Sequence, residues 1–202
     1  MSGEHILIVE DDPTIRTMLQ SVLQLAGYQV SQAEQRSQAL QQLHANNQFA
    51  VVILDLGLPP APHAIDEGIA TLQAIQLEMF EVKVIVLTGQ DQNAAALAAI
   101  REGAFDFLAK PASSATILQA VQRALLFLHK EQEMHQGGVT RIAINAHIGD
   151  GLKNVRDDAE ERLVRQVLKE TGFNVHQSAK RLGVKRENIY YFLKKFGIQR
   201  EE

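Results

Sequence analysis

Residues 49–60 read Phe-Ala-Val-Val-Ile-Leu-Asp-Leu-Gly-Leu-Pro-Pro. Val51 to Leu54 form an unbroken apolar run that stops at the carboxylate of Asp55. A run of this kind suits a parallel strand covered on both faces. Asp55 then falls where the strand surfaces, at the carboxyl edge where open α/β sheets place their ligands. Gly57 and Pro59 supply the turn that follows. A strand that simply ends in a solvated aspartate has the same local signature, so the surrounding chain must separate the two readings.

Outward from this stretch the same alternation of strand and helix repeats. Ile6 to Val9 is a short apolar run followed by three carboxylates, Glu10, Asp11 and Asp12. From Pro13 the period becomes helical, through Ile15, Met18, Leu19, Val22, Leu23 and Leu25, with Asp12 as N-cap, Pro13 at the first helical position and Gly27 closing the helix. Tyr28 to Ala33 reads as a strand and Ser37 to Leu43 as a helix. Beyond Asp55, the connection 57–68 carries three prolines and the pair Asp66 and Glu67 before helical periodicity resumes at Ile69. It is longer than the two to six residues usual between strand and helix. Lys83 to Leu87 is a strand ending at Thr88-Gly89, Ala94 to Arg101 a helix, Ala104 to Leu108 a strand ended by Lys110-Pro111, and Ser114 to His129 a helix. Five βα units in this order predict a doubly wound parallel α/β domain with right-handed crossovers.

Residues 1–130 form that domain in this reading, and residues 131–155 a linker in which Val139 to Ile144 is a candidate short strand. Residues 156–200 hold three compact helical segments stopped by Gly172, Gly183 and Gly197. Charge divides along the same line. Residues 1–152 carry 8 Lys and Arg against 16 Asp and Glu, and residues 153–202 carry 12 against 8. An acidic body with a basic tail predicts that the tail meets a polyanion. The chain has no cysteine, which removes disulfides and thiolate metal sites. It shows no basic-flanked apolar leader and no run long enough to span a bilayer, so the expected location is cytoplasmic, without a membrane partner.

The predicted topology brings Glu10, Asp11, Asp55, Thr88 and Lys110 to one edge of the sheet. Three carboxylates crowded together repel one another, and a divalent cation relieves that repulsion; an all-oxygen donor set points to Mg2+. Lys110 offers an ammonium to a phosphoryl oxygen and Thr88 a hydroxyl. Asp55 is then a candidate phosphoryl acceptor.

Ile-Val-Glu-Asp-Asp-Pro at 8–13, Asp-Leu-Gly-Leu-Pro at 55–59, Val-Leu-Thr-Gly at 86–89 and Gly-Ala-Phe-Asp-Phe-Leu-Ala-Lys-Pro at 103–111 resemble the receiver domain of bacterial two-component response regulators. The resemblance covers about 125 residues. It implies Asp55 as phosphoacceptor, Asp11 as a direct Mg2+ ligand, Glu10 as the second acidic ligand and the Gly57 carbonyl as a further one. It also implies Thr88 as switch hydroxyl, Phe107 as switch aromatic where tyrosine is frequent, and Lys110 as the phosphate-pairing lysine. The Pro60 to Gly68 connection resembles that of receivers attached to sigma-54-type ATPase regulators. Asp12 is read as the helix cap, and not as a ligand.

The tail is similar to the Fis-type DNA-binding domain in Gly-Phe-Asn-Val-His-Gln-Ser-Ala-Lys-Arg-Leu-Gly-Val, 172–184, and Tyr-Phe-Leu-Lys-Lys-Phe-Gly-Ile, 191–198. Two short helices around Gly183 form a helix-turn-helix whose second helix would enter the major groove. Turning Ile189, Leu193 and Phe196 inward leaves Lys185, Arg186, Asn188, Tyr190, Tyr191 and Lys194 outward. Arg and Asn suit base edges, whereas Lys180, Lys194 and Lys195 suit phosphates. The resemblance implies a homodimer on partly symmetric double-stranded DNA, seamed by Asp158 to Leu168. No Gly-x-x-x-x-Gly-Lys-Ser/Thr occurs, so no ATPase domain is expected between the two parts.

The reading that joins these parts is a response regulator, and not an enzyme. A sensor histidine kinase phosphorylates Asp55, and DNA binding by the tail changes in response. Two rivals stay open: a docking or phosphate-sink module whose C-terminal helices dimerise without DNA, and a small phosphotransfer enzyme of the same architecture.

Overall fold

The computed structural model describes residues 3–46, 48–78, 80–89, 92–137, 139, 149 and 151–199. Five strands, β1 (His5–Val9), β2 (Gln29–Ala33), β3 (Phe49–Leu54), β4 (Lys83–Thr88) and β5 (Asp106–Ala109), form one sheet in the order β2-β1-β3-β4-β5. Every neighbouring pair is parallel. All six residues of β3, the central strand, are buried, as its uninterrupted apolar run requires.

Alternation along the strands sends side chains to two separate layers. Leu7, Val9, Val52, Leu54, Val84 and Val86 face one side, where they meet Ala39 and Leu43 of α2 (Arg36–Ala45), Leu72 and Ile75 of α3 (Asp66–Leu77), and Ala95 and Ala99 of α4 (Gln92–Arg101). Ile6, Ile8, Val51, Ile53, Ile85 and Leu87 face the other, against Leu19 and Leu23 of α1 (Pro13–Leu25) and Ile117, Ala120, Val121 and Ala124 of α5 (Ser114–Gln136). Asp12 caps α1, its carboxylate accepting from the Thr14 and Ile15 amides at 2.7 and 3.2 Å.

The sheet order reverses direction between β1 and β3, the switch point at which doubly wound sheets open a crevice beyond their carboxyl ends. The main chain continues the ladder one step past these strands, Glu10 N donating to Ala33 O (3.0 Å) and Asp55 N to Val9 O (2.8 Å). Both residues are thereby fixed at the mouth of the crevice.

Several details differ from the sequence expectation. Met18 and Leu25 lie on the apolar stripe of α1 but are exposed, because its buried side narrows to Arg16, Leu19 and Leu23. The helix α3 starts at Asp66, with the acidic pair in its first turn, where the helix dipole favours negative charge. The helix α5 runs past His129 to Gln136, through the stretch read as the start of the linker. The candidate strand Val139 to Ile144 lies, apart from Val139, outside the described residues. Among the described residues no helix is long and apolar enough to cross a membrane.

The chain divides into two compact units, Met1–Val139 and Thr140–Glu202. The second comprises α6 (Gly151–Glu170), α7 (Val175–Leu182) and α8 (Arg186–Lys195) around Val164, Leu168, Ala179, Ile189, Phe192 and Ile198. Here α6 starts at Gly151, ahead of residue 156, where the sequence reading opens this domain. Asn174 caps α7, accepting from the Gln177 amide at 3.1 Å. Gly183 ends it at φ 66°, a left-handed conformation that glycine adopts without the steric cost a Cβ would impose.

Candidate functional site

Glu10 and Asp11 are the first residues after β1, and Asp55 the first after β3, so the switch point brings their carboxylates together. Each offers an oxygen within 4.8 Å of the others. Glu10 is 2% and Asp55 7% exposed, while Asp11 is half-buried. Lys110 follows β5 and is placed by its amide donating to Thr88 O at 2.9 Å. Its ammonium donates to Glu10 Oε2 at 2.6 Å and lies 3.1 Å from Asp55 Oδ2. Lys110 thus leans on Glu10 more closely than on Asp55.

Burial pushes the Glu10 carboxyl up to about 7, against the hydrogen bond from Lys110 and with the charge of Asp55 pushing the same way. The physical meaning is direct: two carboxylates and little water make a second negative charge costly. Hard, all-oxygen donors converging in this way fit a small divalent cation. Glu10, Asp11 and Asp55 are the residues that could hold it.

Thr88 ends β4 fully buried, and Phe107 on β5 is half-buried, packed against the layer built by α2, α3 and α4. Gly57 is buried two residues beyond Asp55. The connection that follows returns to the site at Gly68, whose amide donates to Leu56 O at 3.2 Å. A Cβ at Gly68 would sit 2.2 Å from Leu56 Cα, so glycine alone permits this approach.

Two contributors escape the sequence reading. Gly68 is one; its role depends on where the Leu56 main chain runs. Arg16 is the other. Its guanidinium is buried behind the acidic turn and donates to the carbonyls of Glu10 (2.6 Å) and Asp11 (3.1 Å). The signal was present, since Arg16, Leu19 and Leu23 share one helical stripe at i, i+3 and i+7.

In the second unit, Lys180, Lys185, Arg186, Asn188, Tyr190, Tyr191 and Lys194 are exposed, with Arg186 Nη2 3.4 Å from the Tyr190 hydroxyl. Glu187 is exposed among them, in the first turn of α8. Lys195 differs from the expectation of a phosphate-seeking side chain. Its ammonium donates to Asp157 (2.8 Å) and Glu160 (2.6 Å) on α6, which satisfy and neutralise it within the unit. Arg165 on α6 in turn donates to Phe196 O, at the C-terminal end of α8, at 3.0 Å. The Asp158 to Leu168 stretch expected to seam a dimer places Val164, Val167 and Leu168 in the unit's interior.

Residues 6–122 match the family model described as the response regulator receiver domain, and the chain belongs to this family. Residues 155–196 match the bacterial regulatory protein, Fis family. This chain is therefore a receiver domain followed by a Fis-type helix-turn-helix segment, with only residues 123–154 between the two matches.

It is 32% identical over 169 residues to the C4-dicarboxylate transport transcriptional regulatory protein DctD of Rhizobium meliloti, covering 83% of this chain and 34% of that protein. It is 32% identical over 159 residues to the transcriptional regulatory protein BasR of Escherichia coli K12, covering 79% and 67%. The receiver domain protein of Methanospirillum hungatei JF-1 superposes with a TM-score of 0.58 at 27% identity, over 64% of this chain and 99% of that one. The first two curated relatives, both DctD proteins, are spanned over only 25% and 34% of their length.

Proposed function

We propose that this chain is a cytoplasmic response regulator that accepts a phosphoryl group on Asp55 and regulates transcription through its C-terminal helices. The observation that carries the proposal is the convergence of Glu10, Asp11 and Asp55 within 4.8 Å of one another, beside an ammonium 3.1 Å from Asp55. A carboxylate oxygen of Asp55 attacks the phosphorus of a kinase phosphohistidine, the P–N bond breaks with its electron pair passing to the ring nitrogen, and the imidazole leaves neutral by taking a proton from solvent. Glu10, Asp11, Asp55 and the Gly57 carbonyl would hold Mg2+, which would supply charge neutralisation for the phosphoryl oxygens. Lys110 exchanges its pairing with the carboxylates for one with the phosphoryl group. Thr88, at the end of β4, and Phe107, within β5, respond by shifting an existing equilibrium.

The exposed Lys185, Arg186, Asn188, Tyr190 and Tyr191 read a duplex as a homodimer, and Lys180 and Lys194 contact phosphates. A sensor histidine kinase and double-stranded DNA are the partners of this reading, and the chain signals without turning over a substrate of its own.

The test is selection from a random duplex pool, with and without beryllofluoride and Mg2+, for wild type and Asp55→Ala. Enrichment of a partly symmetric site, altered by beryllofluoride only when Asp55 is present, is expected. Folded protein that enriches no sequence in either state would overturn the DNA-binding reading and leave a docking module in its place.

A further inference from the structure

We propose that Arg16 is a positioning residue for the divalent cation of this site, holding from inside the fold the backbone that presents Glu10 and Asp11. The inference rests on the cation reading above and adds a residue which that reading does not use. Arg16 is 8% exposed, on the inward stripe of α1. Its Nη1 reaches both Glu10 O (2.6 Å) and Asp11 O (3.1 Å), and its Nη2 pairs with Glu34 Oε1 at 2.7 Å.

The acidic turn is pinned at three further points. Glu10 N donates to Ala33 O at 3.0 Å, Asp12 accepts from the first-turn amides of α1, and Arg16 N donates to Asp12 O at 2.9 Å. Glu10 and Asp11 lie past the end of β1, where ladder hydrogen bonds no longer fix the carbonyls. The guanidinium replaces those bonds. Its planar fork spans two carbonyls and a carboxylate at once, which a lysine ammonium at the same place does less completely.

Charge and position predict opposite outcomes, which makes the proposal decidable. A positive group this close to a cation site repels the cation, so removing its charge alone tightens binding. Removing its hydrogen bonds frees the turn and spreads the carboxylates, which weakens binding. Glu34 already offsets part of the repulsion, so the positional effect dominates.

The experiment is calorimetric titration of the full chain with Mg2+, at a temperature well below the melting point of each variant. Wild type is compared with Glu10→Gln, Arg16→Ala, Arg16→Lys and Glu34→Gln. Arg16→Ala is expected to weaken Mg2+ by about tenfold, the low end of the ~10–100-fold seen for groups that orient metal ligands. Arg16→Lys recovers part of that loss, and Glu34→Gln, which removes the offsetting charge but leaves the guanidinium on both carbonyls, weakens Mg2+ less than Arg16→Ala does.

A merely structural role would lower the melting temperature of Arg16→Ala yet leave the Mg2+ affinity of its folded form unchanged. Equal or tighter binding by folded Arg16→Ala overturns the proposal. If that variant does not fold, Arg16→Lys decides: binding as tight as wild type overturns the proposal, and weaker binding supports it. Wild type that takes up no Mg2+, or Glu10→Gln that binds as wild type does, removes the cation reading itself and this inference with it.

Discussion

Gly68 shows how a residue without a side chain shapes the site. Its Cα lies so close to the segment after β3 that a Cβ would meet Leu56 Cα at 2.2 Å and Leu56 O at 2.7 Å. Both of those atoms are backbone, and neither can rotate away. Gly68→Ala is therefore expected to push α3 off the Asp55 to Gly57 segment, at a cost of about 1–3 kcal/mol, the range for overpacking a filled interior. Denaturant unfolding of the receiver unit measures the cost, and Mg2+ titration reads the displacement of Asp55. An alanine variant with wild-type stability would mean that the segment yields more easily than its surroundings suggest. Arg16 and Gly68 act on the same crevice from opposite sides, one on the turn after β1 and the other on the turn after β3.

At the scale of the element, α8 carries the outward basic residues, but its two adjacent lysines are not equivalent. Both are exposed, but Lys195 is tied to Asp157 and Glu160 and sits over the Phe196 ring, 4.7 Å from its centroid. Lys194→Ala is expected to reduce the slope of log affinity against log salt by about one, and Lys195→Ala to leave that slope almost unchanged. Equal losses of slope would show that duplex DNA draws Lys195 away from its carboxylates. The hydrogen bond from Lys195 holds the Asp157 carboxyl below its usual 3.8, and hydrogen bonds to Asp157 and Glu160 hold the ammonium above its usual 10.5. The contribution of Asp157 is thus present above pH 3.8 and lost only as pH falls through the depressed value. A comparison at neutral pH reads the pair intact.

Such pairs mark where the sequence stops being legible. Strands covered on both faces announce themselves as apolar runs, and Glu10, Asp11, Asp55 and Lys110 follow as strand-end residues once the order of units is known. Lys195 looks like any solvated lysine because its partners lie on another helix. The last turns of α5 are polar and carry no apolar period; Lys130 pairs with Glu133 there, and Lys83 of β4 reaches Glu131 across the fold. Met18 and Leu25 mislead for the converse reason, since an apolar stripe on a helix is not obliged to be buried along its whole width.

For the whole molecule, each unit has an apolar interior of its own: two layers about the sheet in one, and a single three-helix cluster in the other. A ligand that binds the folded receiver raises the free energy of opening only for structure that must come apart to release it. Mg2+ at about 100 times its dissociation constant stabilises the unit that binds it by about 2.7 kcal/mol. Peptide-resolved hydrogen exchange of the full chain, with and without Mg2+, should therefore show slowed exchange in β1, β3 and α1, which frame Glu10, Asp11 and Asp55. The amides of α6, α7 and α8 should exchange at unchanged rates. The same experiment with beryllofluoride added bears on the regulatory reading. If phosphorylation of Asp55 is felt by the helix-turn-helix unit, exchange in α6 to α8 must change with beryllofluoride and Mg2+ together, and that change must vanish in Asp55→Ala. Unaltered exchange in both units under both conditions would place the acidic crevice outside any cation-dependent function, however well its oxygens converge.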